Sequence, residues 1–531
     1  MSIFTESKME NVSTNIFDLT HDRKFSTKMG FLTPICVMDT VPGDQFKIES
    51  NAMIRFAPLV APVMHRAKAY MHYFFVPNRL LWNGWEDFIT GGPDGLNNAT
   101  HPFISGIGSD FYEGGLADYL GIPTTGDMES NNTPVEVDAF PFAAYNKIYN
   151  DYFRDENLEQ VQLIDNLVDG ENNTNIPTYN TLQIRAWQHD YFTSALPWTQ
   201  RGPEVMLPLG DTAPLTPTAG GNQMRFVDNA GVPYPGADKI GYRITTSGTP
   251  TGDGVMESAL LQQEGYVKVD DVYEADLSAA TSSSIIDLRR AFRLQEFLEK
   301  NARGGARYIE VIKAHFGVQS SDGRLQRAEY LGGSSIPLKI SEVLQTNASG
   351  STIDTQVTPQ GNMAGHGISV GGGKSIGHYS EEHGYIIGIM SVMPKSTYQQ
   401  GIPKHFLRRD RFDYFWPEFQ HIGEQGIQNK ELYLSDAPTT QEETWGYIPR
   451  YAEYKFKNDS VHGSYRSTLD FWHMGRKFQT LPNLNNNFIK CFNNEVDRIF
   501  AVQGTDDNLW CHVLNEIKAK RKMARFGIPK L

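Results

Sequence analysis

The sequence predicts a mainly β, antiparallel sandwich with long loops and several helices inserted between its strands, a class whose natural member is the jelly roll. Three observations lead there. Of 531 residues 12% are aromatic, 48 are Gly and 28 are Pro, a mixture that suits pleated surfaces joined by breaker-rich connections. Strand-like patterns fill the first third and return in the last, with helical periodicity and polar stretches between them. No repeat at a fixed period is evident, which sets solenoids and propellers aside.

The elements follow in chain order. Val41-Pro-Gly-Asp44 is a turn signal between two apolar stretches. Lys68–Val76 alternates, with Tyr70, His72, Phe74 and Val76 on one face and Met71, Tyr73 and Phe75 on the other. Both faces are apolar or aromatic, so this strand is expected to be covered on both sides. A helix is predicted over 143–158, because Tyr145, Ile148, Tyr149, Tyr152 and Phe153 fall on one 3.6-residue stripe.

Two more helices are predicted near 285–303 and 306–316. Ser284 with Asp287 resembles a capping box for the first, and Gly304-Gly305 stops it. Tyr308, Ile309, Ile312 and Phe316 form the stripe of the second, which Gly317 ends. The segments 209–283 and 345–380 are rich in small and polar residues and read as long loops, which inside compact domains are uncommon and usually functional or mobile. Gly384–Met393 is a continuous apolar run suited to a buried strand, and Tyr447–Lys457 alternates as a further strand.

With 40% apolar and 21% charged residues the chain is globular and can bury a sizeable core. Its length allows several ordinary domains or one with large insertions. No apolar run approaches a membrane span, and MSIFTESKMENVS carries no signal-peptide core, so a soluble chain made in a cytoplasm is expected. Cys36, Cys491 and Cys511 are odd in number and widely spaced, which points to buried thiols rather than disulfides or a zinc knuckle.

Catalytic and metal signatures are absent from the pattern. Gly371-Gly-Gly-Lys-Ser375 has Ile368 where a phosphate loop needs Gly, and no helix follows, so it reads as a surface loop. His65, His72, His189 and His315 lack metal-ligand spacing, and His72, set in an aromatic strand, reads as a satisfied core residue. No catalytic, cofactor-binding or metal residue is therefore nominated.

Two clusters stand out instead. Arg408, Arg409 and Arg411 lie among Phe412, Tyr414 and Trp416, a mixture that stacks single-stranded bases or, as favoured for so small a platform, anchors a protein interface. The last fourteen residues hold Lys518, Lys520, Arg521, Lys522, Arg525 and Lys530 and no acid, on a chain of net charge -14. A basic end on an acidic body can contact a polyanion or dock on a neighbouring copy, and on its own reads first as a solvated, frayed terminus, as most chain ends are.

Several strings taken together resemble the major capsid proteins of the microviruses, the gokushovirus-like branch above all. They are Phe17-Asp-Leu-Thr-His-Asp22, Ile54–Arg66, Tyr73-Phe-Phe-Val-Pro-Asn-Arg79, Pro141–Asn150 and Asp190–Trp198. After the polar segment come Ala302–Tyr308, His315-Phe-Gly317, Leu325–Gly333, Arg411-Phe-Asp-Tyr-Phe-Trp-Pro417 and Asp470-Phe-Trp-His473. The resemblance runs from about residue 17 to the C-terminus and breaks mainly at 209–283.

It implies a single eight-stranded jelly roll of viral capsid type over 1–531, lying tangentially in a T=1 icosahedral shell around circular single-stranded DNA. It implies self-association through pentamers into sixty copies, no enzyme activity, and residence in the virion after assembly in the bacterial cytoplasm. Segment 209–283 matches a variable insertion that projects near the threefold axes and serves as a candidate contact for a host surface receptor. The basic tail, 515–531, becomes a DNA-contact candidate, although the ending Ile528-Pro-Lys-Leu531 departs from the usual pattern. A small basic packaging protein, a pilot protein and an internal scaffold are further implied partners. A phage spike or receptor-binding lectin, and a carbohydrate-active β-sandwich enzyme, are the alternative readings.

Overall fold

The computed structural model describes residues 13–526 other than 94, 97, 125–132, 162–165, 174–175, 206–214, 218–224, 229–264, 269–272, 276–284, 306, 345–362 and 503–506. The chain divides into two compact units, residues 1–199 with 301–531, and residues 200–300. Within the second, two short antiparallel pairs are described, Leu215–Pro217 with Tyr273–Ala275 and Arg225–Asp228 with Gly265–Lys268. Most of segment 209–283 and the predicted cap Ser284 lie outside the described residues.

The first unit is built on antiparallel strands. Those of its two large sheets are, in chain order, β1 (Asn15–Asp18), β2 (His21–Thr27), β3 (Thr33–Thr40), β4 (Gln45–Phe56), β5 (Ala67–Pro77), β6 (Glu329–Pro337), β7 (Ile340–Leu344), β8 (Met363–Gly372), β9 (Ile376–Tyr379), β10 (Gly384–Pro394) and β11 (Leu509–Arg521). One sheet places β11 between β1 with β2 on one side and β4 on the other; β8 and β9 both pair with β4, and β7 forms the edge beyond β8. The other sheet has the order β6-β5-β10-β3. The turn predicted at Val41–Asp44 joins β3 to β4, one strand of each sheet.

Strand alternation explains why these two sheets share a core. Phe46, Ile48, Ala52 and Ile54 of β4 and Val513, Ile517 and Ala519 of β11 form one buried cluster with Ala69, Met71, Tyr73 and Phe75 of β5 and Ile386 and Met390 of β10. A polar bridge crosses it. Asn515, fully buried, accepts from Ser50 Oγ (2.6 Å) and donates to the Ile35 carbonyl (2.8 Å), while Ser50 also bonds the Tyr73 hydroxyl. Buried polar groups persist when paired in this way.

As predicted, β5 is covered on both sides. Phe74 and Val76 join Ile387 and Ile389 of β10 in a second cluster with Phe140, Phe142, Ala143, Ala144, Tyr145 and Ile148. Those six residues belong to α1 (Phe140–Ile148), which carries Pro at its start, where no N–H is needed. The helix predicted over 143–158 is thus earlier and shorter. Its last turn widens over Tyr149–Phe153, where the Arg154 N–H reaches the Tyr149 carbonyl (2.9 Å). The Asp155 carboxylate then captures the Asn157 and Leu158 N–H groups, which closes a turn in place of a further helical one.

Helices α2 (Ile285–Gly304) and α3 (Tyr308–Phe316) match their predicted positions, with left-handed Gly305 and Gly317 beyond their ends. The α3 stripe is not buried, however: Ile309 and Ile312 are half-buried, and Tyr308 and Phe316 are exposed.

Within the segment read as loop, Met363–Gly372 and Ile376–Tyr379 are β8 and β9, so Gly371-Gly372 ends a strand, and only Gly373-Lys-Ser375 between them is the surface loop expected. The β8 glycines serve close approach: a Cβ at Gly367 would stand 2.7 Å from Phe56 Cγ, and one at Gly371 2.8 Å from Ile336 Cγ2. The strand expected over 447–457 is Thr444–Pro449 only. Pro449 withholds a donor, Tyr451 turns left-handed (φ 62°), and Ala452–Lys455 forms a helical turn.

The three thiols are free and buried, as the sequence implied; burial pushes Cys36 and Cys511 up to about 12. His72 lies among Tyr70, Phe74, Phe153 and Tyr330, and its Nδ1 is 3.2 Å from the Tyr330 hydroxyl. Burial, helped by Arg185, pushes it down to about 4; burial does the same to His65 and His378.

A histidine held neutral in the fold but free to protonate near 6.5 once unfolded stabilises fully above pH 6.5. That contribution falls as pH drops from 6.5 towards 4, by up to about 3 kcal/mol per group. The urea midpoint is therefore expected to fall between pH 7 and pH 5. His72→Gln should flatten the decline; an unchanged slope would contradict this account.

Candidate nucleic-acid and subunit interfaces

The basic C-terminal residues begin inside a sheet. Along β11 the side chains of Leu509, Cys511, Val513, Asn515, Ile517 and Ala519 are buried, while Glu516, Lys518 and Lys520 are exposed on the opposite face. The tail expected from residue 515 is therefore a rigid strand as far as Arg521, and Lys518 and Lys520 are fixed on its outer face. Arg521 turns elsewhere: its guanidinium pairs with buried Asp44 (3.1 Å), donates to the Asp39 carbonyl (2.9 Å) and covers Phe46. Lys522 and Arg525 follow the strand, exposed, and Lys530 lies outside the described residues.

The arginine–aromatic cluster forms a separate surface built from short 3-10 turns rather than strands. The Asp413 carboxylate accepts from the Arg409 and Asp410 N–H groups (2.6 and 2.8 Å), and those bonds hold it below the usual carboxylate range. Phe406, Phe412, Tyr414, Phe415 and Trp416 are each 44–68% exposed, an unusual density for aromatic rings. Arg408 is largely covered, stacked 4.4 Å from the Tyr454 ring centre and 5.2 Å from that of Tyr414. Arg411 lies over Phe412 (4.6 Å), and Trp416 Nε1 donates to the Arg411 carbonyl (2.9 Å). The structure thus gathers the six predicted residues, with Arg408 as an internal brace and the aromatics facing out. Tyr454, forty-six residues from Arg408, carried no local signal.

Among the described residues no three His, Cys, Asp or Glu side chains are grouped to hold a metal ion. No described helix is long and apolar enough to cross a membrane.

Comparison with known proteins agrees with the resemblance carried by the motifs. The family described as capsid protein (F protein) matches residues 6–531. Capsid protein VP1 of Bdellovibrio phage phiMH2K is 38% identical over 96% of this chain and 94% of its own length. The VP1 capsid proteins of Chlamydia phage 1 and Spiroplasma virus 4 are 34% and 32% identical, each across 99% of this chain and 97% of their own length. The chain therefore belongs to the phage capsid protein (F protein) family, in its microvirus, gokushovirus-like branch.

Proposed function

We propose that this major capsid protein folds as one eight-stranded jelly roll and that sixty copies, assembled through pentamers in the host cytoplasm, close a T=1 shell around circular single-stranded DNA. The strand order carries the reading. With β1 and β2 taken as the first position and β8 with β9 as the sixth, the sheets run 1-8-3-6 and 5-4-7-2. That is the interleaving produced when a long antiparallel hairpin is rolled into two sheets. The β7 strand is then an edge addition.

In this reading residues 209–283, inserted between the fourth and fifth strand positions, are the outer protrusion and the contact for a host receptor. Their length, polar composition and inclusion in a separate compact unit support that role. The exposed aromatics at 406–416 become contacts between copies, where aromatic and Arg anchors concentrate binding energy. Lys518, Lys520, Lys522 and Arg525 meet the genome. A small basic packaging protein, a pilot protein and an internal scaffold are the remaining partners, and no step requires catalysis.

Sixty copies carry about 840 formal negative charges, sixty times fourteen, before the genome adds its own. Packaging should therefore depend on basic residues, a basic companion or cations. Genome retention in purified particles is expected to fall when chelator is added and to vary with salt. Retention indifferent to both would overturn the packaging account.

A further inference from the structure

The β4–β11 register places two lysines directly against each other. Lys518 is opposite Lys47, and both are exposed on the outer face of the first sheet. Like charges at such positions are destabilising. Asp18, opposite Lys518 on β1, interacts with it electrostatically, while Lys47 faces no carboxylate across its own rung. The rung continues to Asp18 of β1 beyond Lys518 and to Gly377 of β9 beyond Lys47, so one flank has no side chain. The next rung reads Ile16, Lys520, Gln45 and Tyr379, and the Tyr379 ring is 54% exposed.

Strand spacing of about 4.8 Å and about 7 Å between same-face rungs bring the three ammonium groups and the ring onto one small patch. The stem of Lys522 lies over the β3–β4 turn, where a Cβ on Gly43 would be 3.6 Å from its Cε, and extends the charge. On the other side the Glu49–Glu516 rung bounds the patch.

We infer that Lys47, Lys518 and Lys520, with Tyr379 beside them, form a built site for the phosphates and a base of single-stranded DNA. This deepens the genome-contact reading and rests on it. Phosphate between Lys47 and Lys518 relieves their repulsion, and an exposed ring at the edge of a basic surface stacks any base. The sequence marked only the C-terminal members; Lys47, some 470 residues earlier, is brought in by strand pairing.

The test is binding of full-length chain to a fluorescent thirty-residue oligothymidylate across a salt series, with sedimentation to monitor assembly. Each phosphate contact contributes roughly 0.7 to the slope of log affinity against log salt for single strands. Lys47→Gln should lower the slope by about 0.7, and with Lys518→Gln by about 1.4. Tyr379→Ala should weaken binding roughly fivefold or more at unchanged slope. An unchanged slope in Lys47→Gln, while Lys522→Gln lowers it, overturns the inference and leaves the DNA-contact reading standing. Loss of assembly in Lys47→Gln with DNA binding intact assigns the patch to a neighbouring copy and also overturns it. No binding by the unaltered chain at 50 mM salt sinks both.

Discussion

Ending the chain at Asn508 is expected to abolish folding, whereas ending it at Met523 should leave the fold intact. The difference is β11, the strand that pairs with β1 and β2 on one side and β4 on the other. Its Leu509, Val513 and Ile517 are fully buried, each stabilising by about 1.5–3 kcal/mol. Their sum alone rivals the 5–15 kcal/mol by which a domain is typically stable. Deletion would also orphan the backbone donors and acceptors of three strands in the middle of a sheet. Soluble yield and circular dichroism of the two truncated chains check this; a folded 1–508 chain would contradict it. Removing residues 518–531 to probe the basic tail would also remove Ala519 and the pairing with β1, so substitution of single lysines is the cleaner test.

The second large effect is expected at Arg476, 1% exposed beneath the Trp187, Phe478 and Phe488 rings. Its guanidinium binds both oxygens of Glu495 (2.9 and 3.2 Å) and donates to the Phe488 carbonyl (2.7 Å). Breaking a buried pair leaves one uncompensated charge and typically costs about 3–5 kcal/mol, while replacing both partners with apolar residues costs far less. Arg476→Ala is expected to destabilise by that amount in urea titration, and Arg476→Met with Glu495→Leu to recover most of it. Equal losses in both variants would show that the cation-filled volume matters rather than the pairing.

What the sequence revealed and concealed follows from how each residue acts. The β5 and β10 strands were legible because their side chains do the packing, and the Val41–Asp44 turn because Pro and Gly act locally. The β8 and β9 strands carry a loop-like pattern because their contribution is the lack of side chains, which lets Phe56 and Ile336 approach. The break at Tyr451 needs a left-handed residue that no local pattern announced. In β11 the alternation of Leu509, Cys511, Val513, Asn515, Ile517 and Ala519, which marks a half-buried strand, is interleaved at its end with the charges at Lys518–Lys522 that read as a tail. Of the candidate surfaces, the charges and rings were visible in the sequence. Their partners Lys47, Asp44 and Tyr454 were not, because strand register and distant loops bring them in.

Whether a jelly-roll subunit closes a small shell is decided by electron cryo-microscopy of particles from the full-length chain, expressed alone and with the other proteins of its phage. Closed T=1 particles are expected, in which each copy keeps sheets of order 1-8-3-6 and 5-4-7-2, with residues 209–283 on the outside and Lys47 and Lys518 facing the genome. A chain that stays monomeric under both conditions, or particles with the Lys47–Lys518 face outward, would contradict that expectation.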